Sequence, residues 1–218
     1  MTLPAVIAVT DPRSSDGDLV GVVGRVFGRV PAGSVGVQLR DKVRPGAAVC
    51  ALAERLAALC HRYGAPLYVN DRLDIALAVR ASGAHLGRGS VGIAEARRLL
   101  GTQAFVSVAA HEIADVERAR AEGASAALVS PIFESPGKGP PRGTSWLAEA
   151  HARAQGLPLY ALGGVNATNV EACAAAGATG VAVVRALWEA ADPVDVASRL
   201  VRAVSFGASV CGQRRQAT

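Results

Sequence analysis

Short apolar runs alternate with stretches of helical periodicity along the chain. The first run, residues 5–10, ends at Asp11-Pro12 and predicts a buried strand. Residues 18–30 then carry apolar side chains three and four positions apart, which predicts an amphipathic helix. Because the same succession recurs along the sequence, the pattern predicts a chain built from repeated strand–helix units.

The sequence contains eight predicted strands, each followed by a predicted helix, at roughly even spacing. The strands are predicted at residues 5–10, 35–40, 66–69, 83–87, 104–108, 126–130, 158–162 and 180–184. The helices are predicted at residues 18–30, 47–63, 73–81, 91–100, 111–122, 145–154, 167–176 and 193–204. This pattern predicts an α/β protein with a single (β/α)8 TIM barrel over residues 1–205. A doubly wound open sheet is the competitor, but no Gly-x-Gly-x-x-Gly follows the first strand.

The composition agrees with buried parallel strands and excludes some classes of partner. Half of the 218 residues are hydrophobic and only 4% are aromatic. The formal net charge is +5, but the sequence has no dense basic run with interleaved aromatic residues, so we expect no nucleic-acid partner. No uninterrupted apolar segment approaches the roughly 20 residues of a membrane span, so we expect no membrane partner. Residues 206–218 are polar and rich in small residues, and we expect a flexible C-terminal tail there.

The four cysteines indicate a reducing environment. Cys50, Cys60, Cys173 and Cys211 show neither Cys-x-x-Cys spacing nor histidines at zinc-site spacing. The N-terminus also lacks the basic segment and long apolar core of a secretory signal. Scattered free thiols are typical of a reducing compartment, so we expect a cytoplasmic protein.

The second predicted strand carries a row of polar side chains. Alternation places Val37 and Leu39 on one face and the polar side chains on the other. The polar side chains are Gln38, Arg40 and Lys42. A buried charge is costly unless it is paired, so this face fits a strand whose end opens into a site for an anion. An edge strand with a solvated polar face is the alternative.

Active sites of (β/α)8 barrels form at the C-terminal ends of the strands. From strands two to eight this rule selects Arg40, Lys42, Asn70, Asp71, Gly87 to Ser90, His111, Ser130, Lys138, Arg142, Gly163, Gly164, Val184 and Arg185. Cations outnumber acids in this set, so we expect the mouth of the barrel to bind an anion.

Two glycines, Gly163 and Gly164, follow the seventh predicted strand and precede a helix. Glycine lets the backbone approach a ligand closely, and free amides at a helix N-terminus attract phosphate. Barrels frequently bind phosphate at the loops after strands seven and eight, so we assign a phosphate to these glycines and expect the end of strand eight, Val184 and Arg185, at the same mouth. The alternative is a tight connection between strand and helix.

The cations of the mouth suit a second anionic group. Arg40, Lys42 and Lys138 can hold a carboxylate or a diphosphate. The alternative is that they pair with acidic neighbours, namely Asp41, Asp71 or Glu134. Asp71 itself can ligate Mg²⁺, which takes one or two carboxylates plus phosphate oxygens. One acid is a thin basis for a metal site, and we favour Asp71 as the N-cap of the helix that begins at Arg72.

Among the four histidines we assign chemistry to His111. It follows the fifth predicted strand, where an imidazole can take and return a proton near neutral pH. His85 lies within a short buried strand and is expected to be a core residue with satisfied hydrogen bonds. His61 and His151 lie on predicted helices and are expected at the surface.

Five short motifs come in order and at suitable spacing across nearly the whole chain. They are Val37-Gln38-Leu39-Arg40-Asp41-Lys42, Val69-Asn70-Asp71-Arg72, His85-Leu86-Gly87, Ser130-Pro131-Ile132-Phe133 and Leu162-Gly163-Gly164-Val165. Together they resemble the thiamine-phosphate synthase/TenI family, and the resemblance implies a (β/α)8 barrel.

The resemblance implies two activities. The synthase joins hydroxymethylpyrimidine diphosphate to a thiazole phosphate and releases pyrophosphate with the help of Mg²⁺. The TenI branch aromatises a thiazole carboxylate phosphate by moving a proton, without a metal. By the family pattern Gly163, Gly164 and the end of strand eight hold the thiazole phosphate. The residues that match the diphosphate and pyrimidine side are Gln38, Arg40, Lys42, Asn70, Asp71 and Lys138.

The sequence departs from the synthase pattern at several positions. Synthases usually carry a second acid after His-Leu-Gly that shares Mg²⁺ with the acid matching Asp71, and here that place is taken by Ser90. The loop Glu134-Ser135-Pro136-Gly137-Lys138 replaces the usual Thr-x-Thr-Lys, and its extension to Gly143 is more similar to the TenI branch. His111 matches that branch's proton-transfer histidine. Strand eight ends in Val184-Arg185, where the family often has a serine.

These departures favour a thiazole tautomerase of the TenI type, an isomerase with His111 as general acid and base and no cofactor. Substrate contacts are assigned to Gln38, Arg40, Lys42, Asn70, Ser130, Lys138 and Arg142. The alternative is thiamine-phosphate synthase, a transferase, with Asp71 as a Mg²⁺ ligand. A second alternative is a non-catalytic protein that binds thiazole or thiamine phosphate. In each case the partner is a small thiazole phosphate, and the sequence leaves open whether the chain forms a homo-oligomer.

Overall fold

The computed structural model describes residues 3–13 and 17–215, with side chains as far as residue 205. Eight parallel strands close into a barrel in the order of the chain, and β8 pairs with β1. The strands are β1 (Val6–Val9), β2 (Val35–Leu39), β3 (Leu67–Asn70), β4 (Gly83–Leu86), β5 (Phe105–Ala110), β6 (Ala126–Val129), β7 (Leu159–Leu162) and β8 (Gly180–Val183). The predicted (β/α)8 barrel is therefore confirmed, and the open doubly wound sheet is excluded.

Helices follow each strand on the outside of the barrel. They are α1 (Leu19–Phe27), α2 (Gly46–Tyr63), α3 (Leu73–Ala78), α4 (Ile93–Leu100), α5 (Ile113–Ala121), α6 (Gly143–Ala154), α7 (Val170–Ala175), α8 (Arg185–Trp188) and α9 (Pro193–Arg215). The short helix α8 was not predicted, because four residues are too few to show helical periodicity.

Strand alternation divides the core into an interior and an outer layer. In β1, Val6 and Ala8 pack in the layer between strands and helices, whereas Ile7 and Val9 pack inside the barrel. The interior also contains an aromatic pair, Tyr68 and Phe105, whose ring centroids lie 4.5 Å apart. The barrel is therefore filled by side chains, and a ligand site is expected at its rim.

The helix boundaries follow local capping chemistry. Helix α2 begins after Pro45 and ends at Gly64, whose left-handed φ of 61° closes the helix as the sequence predicts. Helix α7 begins at Val170, later than predicted, because the Asn166 side chain accepts a hydrogen bond from the amide of Thr168 and forms a turn. Helix α5 begins at Ile113, since β5 continues to Ala110.

The last helix is longer than predicted, since α9 continues to Arg215 where the sequence predicted an end at residue 204. The side chains of residues 206–215 and the whole of 216–218 lie outside the described part of the chain. The flexible tail expected over 206–218 therefore stays a prediction. Among the described residues, no helix is long and apolar enough to cross a membrane.

Candidate functional site

The residues selected from the strand ends lie at one end of the barrel. All eight strands are parallel, so the segments that follow them gather around one mouth. At the β1–β2 seam, the Thr10 hydroxyl donates to the carbonyl of Arg40 (3.1 Å) and accepts from its amide (2.9 Å). Thr10 is 2% exposed, so this buried pair of hydrogen bonds fixes the backbone that carries Arg40.

A chain of hydrogen bonds runs across the next three strands. Nε2 of Gln38 donates to Oδ1 of Asn70 (3.0 Å), and Nδ2 of Asn70 donates to Oδ2 of Asp71 (2.7 Å). The amide of Gly87 donates to Oδ1 of Asp71 (2.8 Å), and the Ser90 hydroxyl donates to the same oxygen. The polar face predicted for the second strand is thus part of a network that positions one carboxylate.

The network keeps Asp71 ionised. Burial raises the pKa of this carboxyl, but the hydrogen bonds from Ser90 and Gly87 and the charge of Lys42 outweigh it, so the pKa lies below its usual value. The residue has a left-handed φ of 60°, and its side chain points across to β4. The N-cap of α3 is Arg72, without a side-chain cap. The favoured interpretation of Asp71 as a helix cap is therefore wrong.

Three cations share the mouth. Nζ of Lys42 lies 3.7 Å from Oδ2 of Asp71, in a half-open pair. Partial desolvation and the charges of Arg40 and Lys42 lower the pKa of Lys138. Asp41 pairs instead with Arg44, Oδ2 to Nη1 at 3.4 Å. Of the expected acidic neighbours, Asp71 thus pairs with Lys42, whereas Asp41 pairs with Arg44.

The residues around Asp71 do not fit a magnesium ion held by the protein. Its two oxygens already accept hydrogen bonds from Gly87, Ser90 and Asn70, and an ammonium lies beside one of them. Among the described residues, no three His, Cys, Asp or Glu side chains cluster as metal ligands. Mg²⁺ requires oxygen ligands in near-octahedral geometry, and here the available carboxylate oxygens are occupied by donors.

His85 is a structural residue of the barrel interior, as predicted. It is 6% exposed, and its Nδ1 lies 3.0 Å from Oγ of Ser107. Burial, with a smaller contribution from the charges of Arg40 and Lys42, lowers its pKa to about 4 despite the opposing effect of Asp71. The imidazole is therefore neutral at physiological pH.

His111 lies at the mouth, directly after β5. Its Nδ1 lies 2.9 Å from the carbonyl oxygen of Ser130, so this nitrogen carries the proton and donates it. In this tautomer Nε2 is a hydrogen-bond acceptor. Its amide donates to Oδ2 of Asp115 (2.9 Å), which fixes the turn into α5. Ser130 is 2% exposed and orients His111 through its backbone, a contact that its predicted role in substrate binding did not include.

Arg142 is held by its own neighbours. Its guanidinium pairs with Glu112 and lies 5.4 Å above the ring of Trp146. These contacts fasten the end of the loop after β6 to the start of α5. The substrate contact assigned to Arg142 stays a prediction.

The glycine pair after β7 packs against the loop after β6. A Cβ on Gly163 would lie 2.8 Å from Cα of Pro131, and one on Gly164 would lie 2.4 Å from the carbonyl oxygen of Glu134. Both glycines have positive φ, 94° and 65°. The tight connection considered as the alternative is therefore present, and it leaves the predicted phosphate role open.

The end of β8 leads into the helix missed in the sequence. Val184 is the N-cap of α8, and Arg185 is its exposed first residue. A short extra helix beside the loops after strands seven and eight is the usual surrounding of phosphate in this fold. The phosphate role of Val184 and Arg185 stays a prediction.

Sequence reasoning missed Thr10 as a residue of the mouth and Trp188 as a neighbour of β1. The Trp188 indole N–H donates to the carbonyl of Val9 (2.7 Å). The signal for Thr10 is its position directly after the first strand, where residues of the mouth are expected. The Trp188 contact joins residues 179 positions apart, and no local signal announces it.

This chain is similar to known thiamine-phosphate synthases. The family model described as thiamine monophosphate synthase (TMP-TENI) matches residues 6–187. The thiamine-phosphate synthase of Halorhodospira halophila is 41% identical over 205 residues, which cover 91% of this chain and 93% of that protein. That of Thermosynechococcus vestitus is 42% identical over 174 residues, 78% of this chain, and the chain spans about half (49%) of its length.

A solved structure supports the fold. The thiamine phosphate pyrophosphorylase from Pyrococcus furiosus superposes with a TM-score of 0.82 at 24% identity, covering 93% of this chain and 96% of that one. At 24% identity this similarity supports the fold of the chain and not its function.

The expectation of a thiazole tautomerase, an isomerase, is wrong. Both relatives described above are named thiamine-phosphate synthase, at 41% and 42% identity. The expectation of an isomerase rests on the departures at Ser90 and in the loop after β6, whereas the cations of the mouth are compatible with both reactions. The proton transfer assigned to His111 was inferred for the tautomerase reaction and has no place in the corrected one. The expected membership of the TenI branch is not confirmed.

Proposed function

The chain belongs to the thiamine monophosphate synthase (TMP-TENI) family, and on that premise we propose that it is a thiamine-phosphate synthase. The proposed reaction joins hydroxymethylpyrimidine diphosphate to a thiazole phosphate and releases pyrophosphate. The observation that carries the proposal is the 41% identity with the Halorhodospira halophila synthase over nearly the full length of both chains.

The proposed chemistry is a substitution at the carbon that bears the diphosphate. A bond forms from the thiazole nitrogen to that carbon, the carbon–oxygen bond breaks, and pyrophosphate leaves with the bonding electron pair. The leaving group gains negative charge as this bond breaks, so fixed positive charge near its oxygens lowers the barrier. In our proposal Arg40, Lys42 and Lys138 supply that charge.

The remaining mouth residues hold the two substrates in place. Gln38 and Asn70 are already oriented by their mutual hydrogen bond and face the pyrimidine side in our proposal. The backbone after β7 and at the start of α8 receives the thiazole phosphate. Positioning two reactants side by side removes much of the entropic cost of their encounter.

The proposal includes a cytoplasmic location and small-molecule partners. In the described part of the chain Cys50, Cys60 and Cys173 are free thiols, which suits a reducing compartment. Burial raises the pKa of Cys60 and of Cys173 to about 12, so these two thiols are unreactive.

The test is a direct assay with both substrates. We expect the purified chain to form thiamine phosphate and an equal amount of pyrophosphate, measured separately by fluorescence of oxidised thiamine phosphate and by phosphate release after pyrophosphatase. Lys138→Met should lower kcat by about a hundredfold, because a positive charge that stabilises the leaving group is lost. The control Arg98→Met, on the outer face of α4, should leave kcat unchanged.

A different outcome would assign the chain to another class. If both substrates bind and neither product forms, the synthase proposal fails and the chain is a thiazole-phosphate binding protein. Binding is measured by calorimetry on the same preparation, so an unfolded sample is recognised.

A further inference from the structure

The chain uses lysine at two positions only, and both lie at the mouth. The 23 basic residues include two lysines, Lys42 and Lys138, and all the others are arginines. Lys42 follows β2 and Lys138 lies in the loop after β6, so the fold brings them together from nearly 100 positions apart. Partial burial and the charges of Arg40 and Lys42 lower the pKa of Lys138, in agreement with the placement of both lysines at one mouth.

Lys42 lies beside the carboxylate that a metal would need. Its ammonium is 3.7 Å from Oδ2 of Asp71, and its side chain is 60% exposed and so remains accessible to a ligand. Gly87, Ser90 and Asn70 occupy the other hydrogen-bonding directions of that carboxylate. The positive charge next to Asp71 is therefore supplied by a side chain.

Ser90 completes this arrangement. A hydroxyl donates a hydrogen bond to Asp71, whereas a second carboxylate at this place would repel it and create a two-acid site for a divalent cation. The serine thus favours a single anion paired with a lysine over a pair of acids around a metal.

We propose that this site binds a diphosphate group through Arg40, Lys42 and Lys138 alone, without a divalent metal ion held by the protein. Asp71 acts as a positioning residue that holds the Lys42 ammonium at the mouth. The inference rests on the proposed function for its choice of diphosphate as ligand, but it is tested by binding and does not depend on turnover.

Inorganic pyrophosphate is the probe, titrated by calorimetry into the full chain with either EDTA or MgCl₂ present. We expect dissociation constants that agree within about threefold in the two buffers, less than the tenfold step that corresponds to 1.4 kcal/mol. Acetylation read by mass spectrometry gives a second measurement, since Lys42 and Lys138 are the lysines available for labelling. Pyrophosphate should protect both lysines in EDTA.

Two substitutions sharpen the test. Lys42→Met should weaken pyrophosphate binding about tenfold or more in both buffers, because a charge-assisted contact is lost. Ser90→Asp should create a two-acid site, and we expect this variant to bind Mn²⁺ in the absence of pyrophosphate. Binding is measured as a loss of the electron paramagnetic resonance signal of free Mn²⁺. We expect no such binding by the unsubstituted chain. Arg98→Met is the control for both.

The inference is overturned if pyrophosphate binds only with Mg²⁺ present, or if the unsubstituted chain binds Mn²⁺ by itself as tightly as the Ser90→Asp variant. These outcomes are separable from a failure of the proposed function. Turnover of the two substrates with metal-dependent pyrophosphate binding would leave the synthase in place and remove the inference. Metal-independent pyrophosphate binding without turnover would support the inference and contradict the proposed synthase activity.

Discussion

The imidazole of His85 is buried among polar groups of the barrel interior and stays neutral. Its pKa, lowered by burial from 6.5 to about 4, differs from that of the unfolded chain. At pH values between these two pKa values, His85 is protonated in the unfolded chain and neutral in the folded chain. The free energy of unfolding therefore falls as the pH is lowered through this window.

We expect this window to be visible in chemical denaturation. From pH 6.5 down to about 4, His85 should lower the free energy of unfolding by at most about 1.4 kcal/mol per pH unit, and above pH 6.5 it should have no effect. Urea titrations at several pH values measure the slope. His85→Asn keeps a partner for Ser107 and should flatten the slope in this window. Equal slopes for both proteins would show that His85 is not the titrating group.

Single residues were predicted well where one property decided their place. A histidine inside a short apolar strand had to be buried and hydrogen-bonded, and His85 is. Asp71 was misread because both a helix cap and an interstrand contact suit an aspartate before a helix. Its left-handed backbone and its partners Gly87 and Ser90 depend on β4, which the local sequence does not reveal.

At the scale of elements, Arg97 of α4 ties together the segments around β5. Its Nη1 donates to the carbonyls of Thr102 (2.8 Å) and Ala104 (3.0 Å). Its Nη2 donates to the carbonyl of Gly123 (2.9 Å) and to Oγ of Ser125 (3.1 Å). One guanidinium thus joins the segments that precede β5 and β6, at the end of the barrel away from the mouth.

We expect Arg97→Met to lower the free energy of unfolding by about 2 kcal/mol, because several charge-assisted hydrogen bonds are lost and the apolar stem is retained. Urea unfolding gives the measurement. The neighbouring Arg98 is 75% exposed and contacts Glu95 at 3.4 Å, so Arg98→Met should change stability by less than about 0.5 kcal/mol. Similar losses in both variants would contradict the role given to Arg97.

Elements were predictable where periodicity extends over several turns. The core of every strand and of eight helices was found, with ends displaced by a few residues. The displaced ends, such as the start of α7, depend on side-chain turns like that of Asn166. Helix α8 is joined to the end of β1 by the hydrogen bond from Trp188 to Val9, and its four residues are too few to show helical periodicity.

At the scale of the whole molecule, the barrel closes where β8 meets β1. The register joins Val6 to Val181 and Ala8 to Val183. Trp188 of α8 adds a bond from the far end of the chain to the carbonyl of Val9 (2.7 Å). Closure thus depends on contacts between the first and last strand–helix units.

We expect Trp188→Phe to lower the free energy of unfolding by about 1 kcal/mol, since it removes this hydrogen bond and keeps an aromatic ring. Thermal unfolding followed by circular dichroism measures the effect. Trp146→Phe serves as the comparison, because no hydrogen bond of its indole is present among the described contacts. An unchanged melting temperature in Trp188→Phe would contradict a contribution of this contact to closure.

The fold followed from counting eight repeats, but the choice of reaction did not follow from the sequence. The cations and glycines at the mouth suit both a tautomerase and a synthase, because each reaction brings two anionic groups to the site. These groups are a carboxylate and a phosphate in the tautomerase, and a diphosphate and a phosphate in the synthase. Ser90 weighed towards the tautomerase, although its hydroxyl bonded to Asp71 is equally compatible with a lysine-based anion site. Physical reasoning thus found the location and charge of the site, while relatives were needed to favour one reaction.

The glycine pair after β7 has an effect beyond its own turn. The amides of Ile132 and Phe133 donate to the carbonyls of Leu162 (3.0 Å) and Gly163 (2.9 Å), so the base of the loop that carries Lys138 rests on this turn. The turn after β7 and the loop after β6 therefore pack directly against each other. Any side chain added at Gly163 or Gly164 would collide with the loop after β6 and displace the segment that carries Lys138.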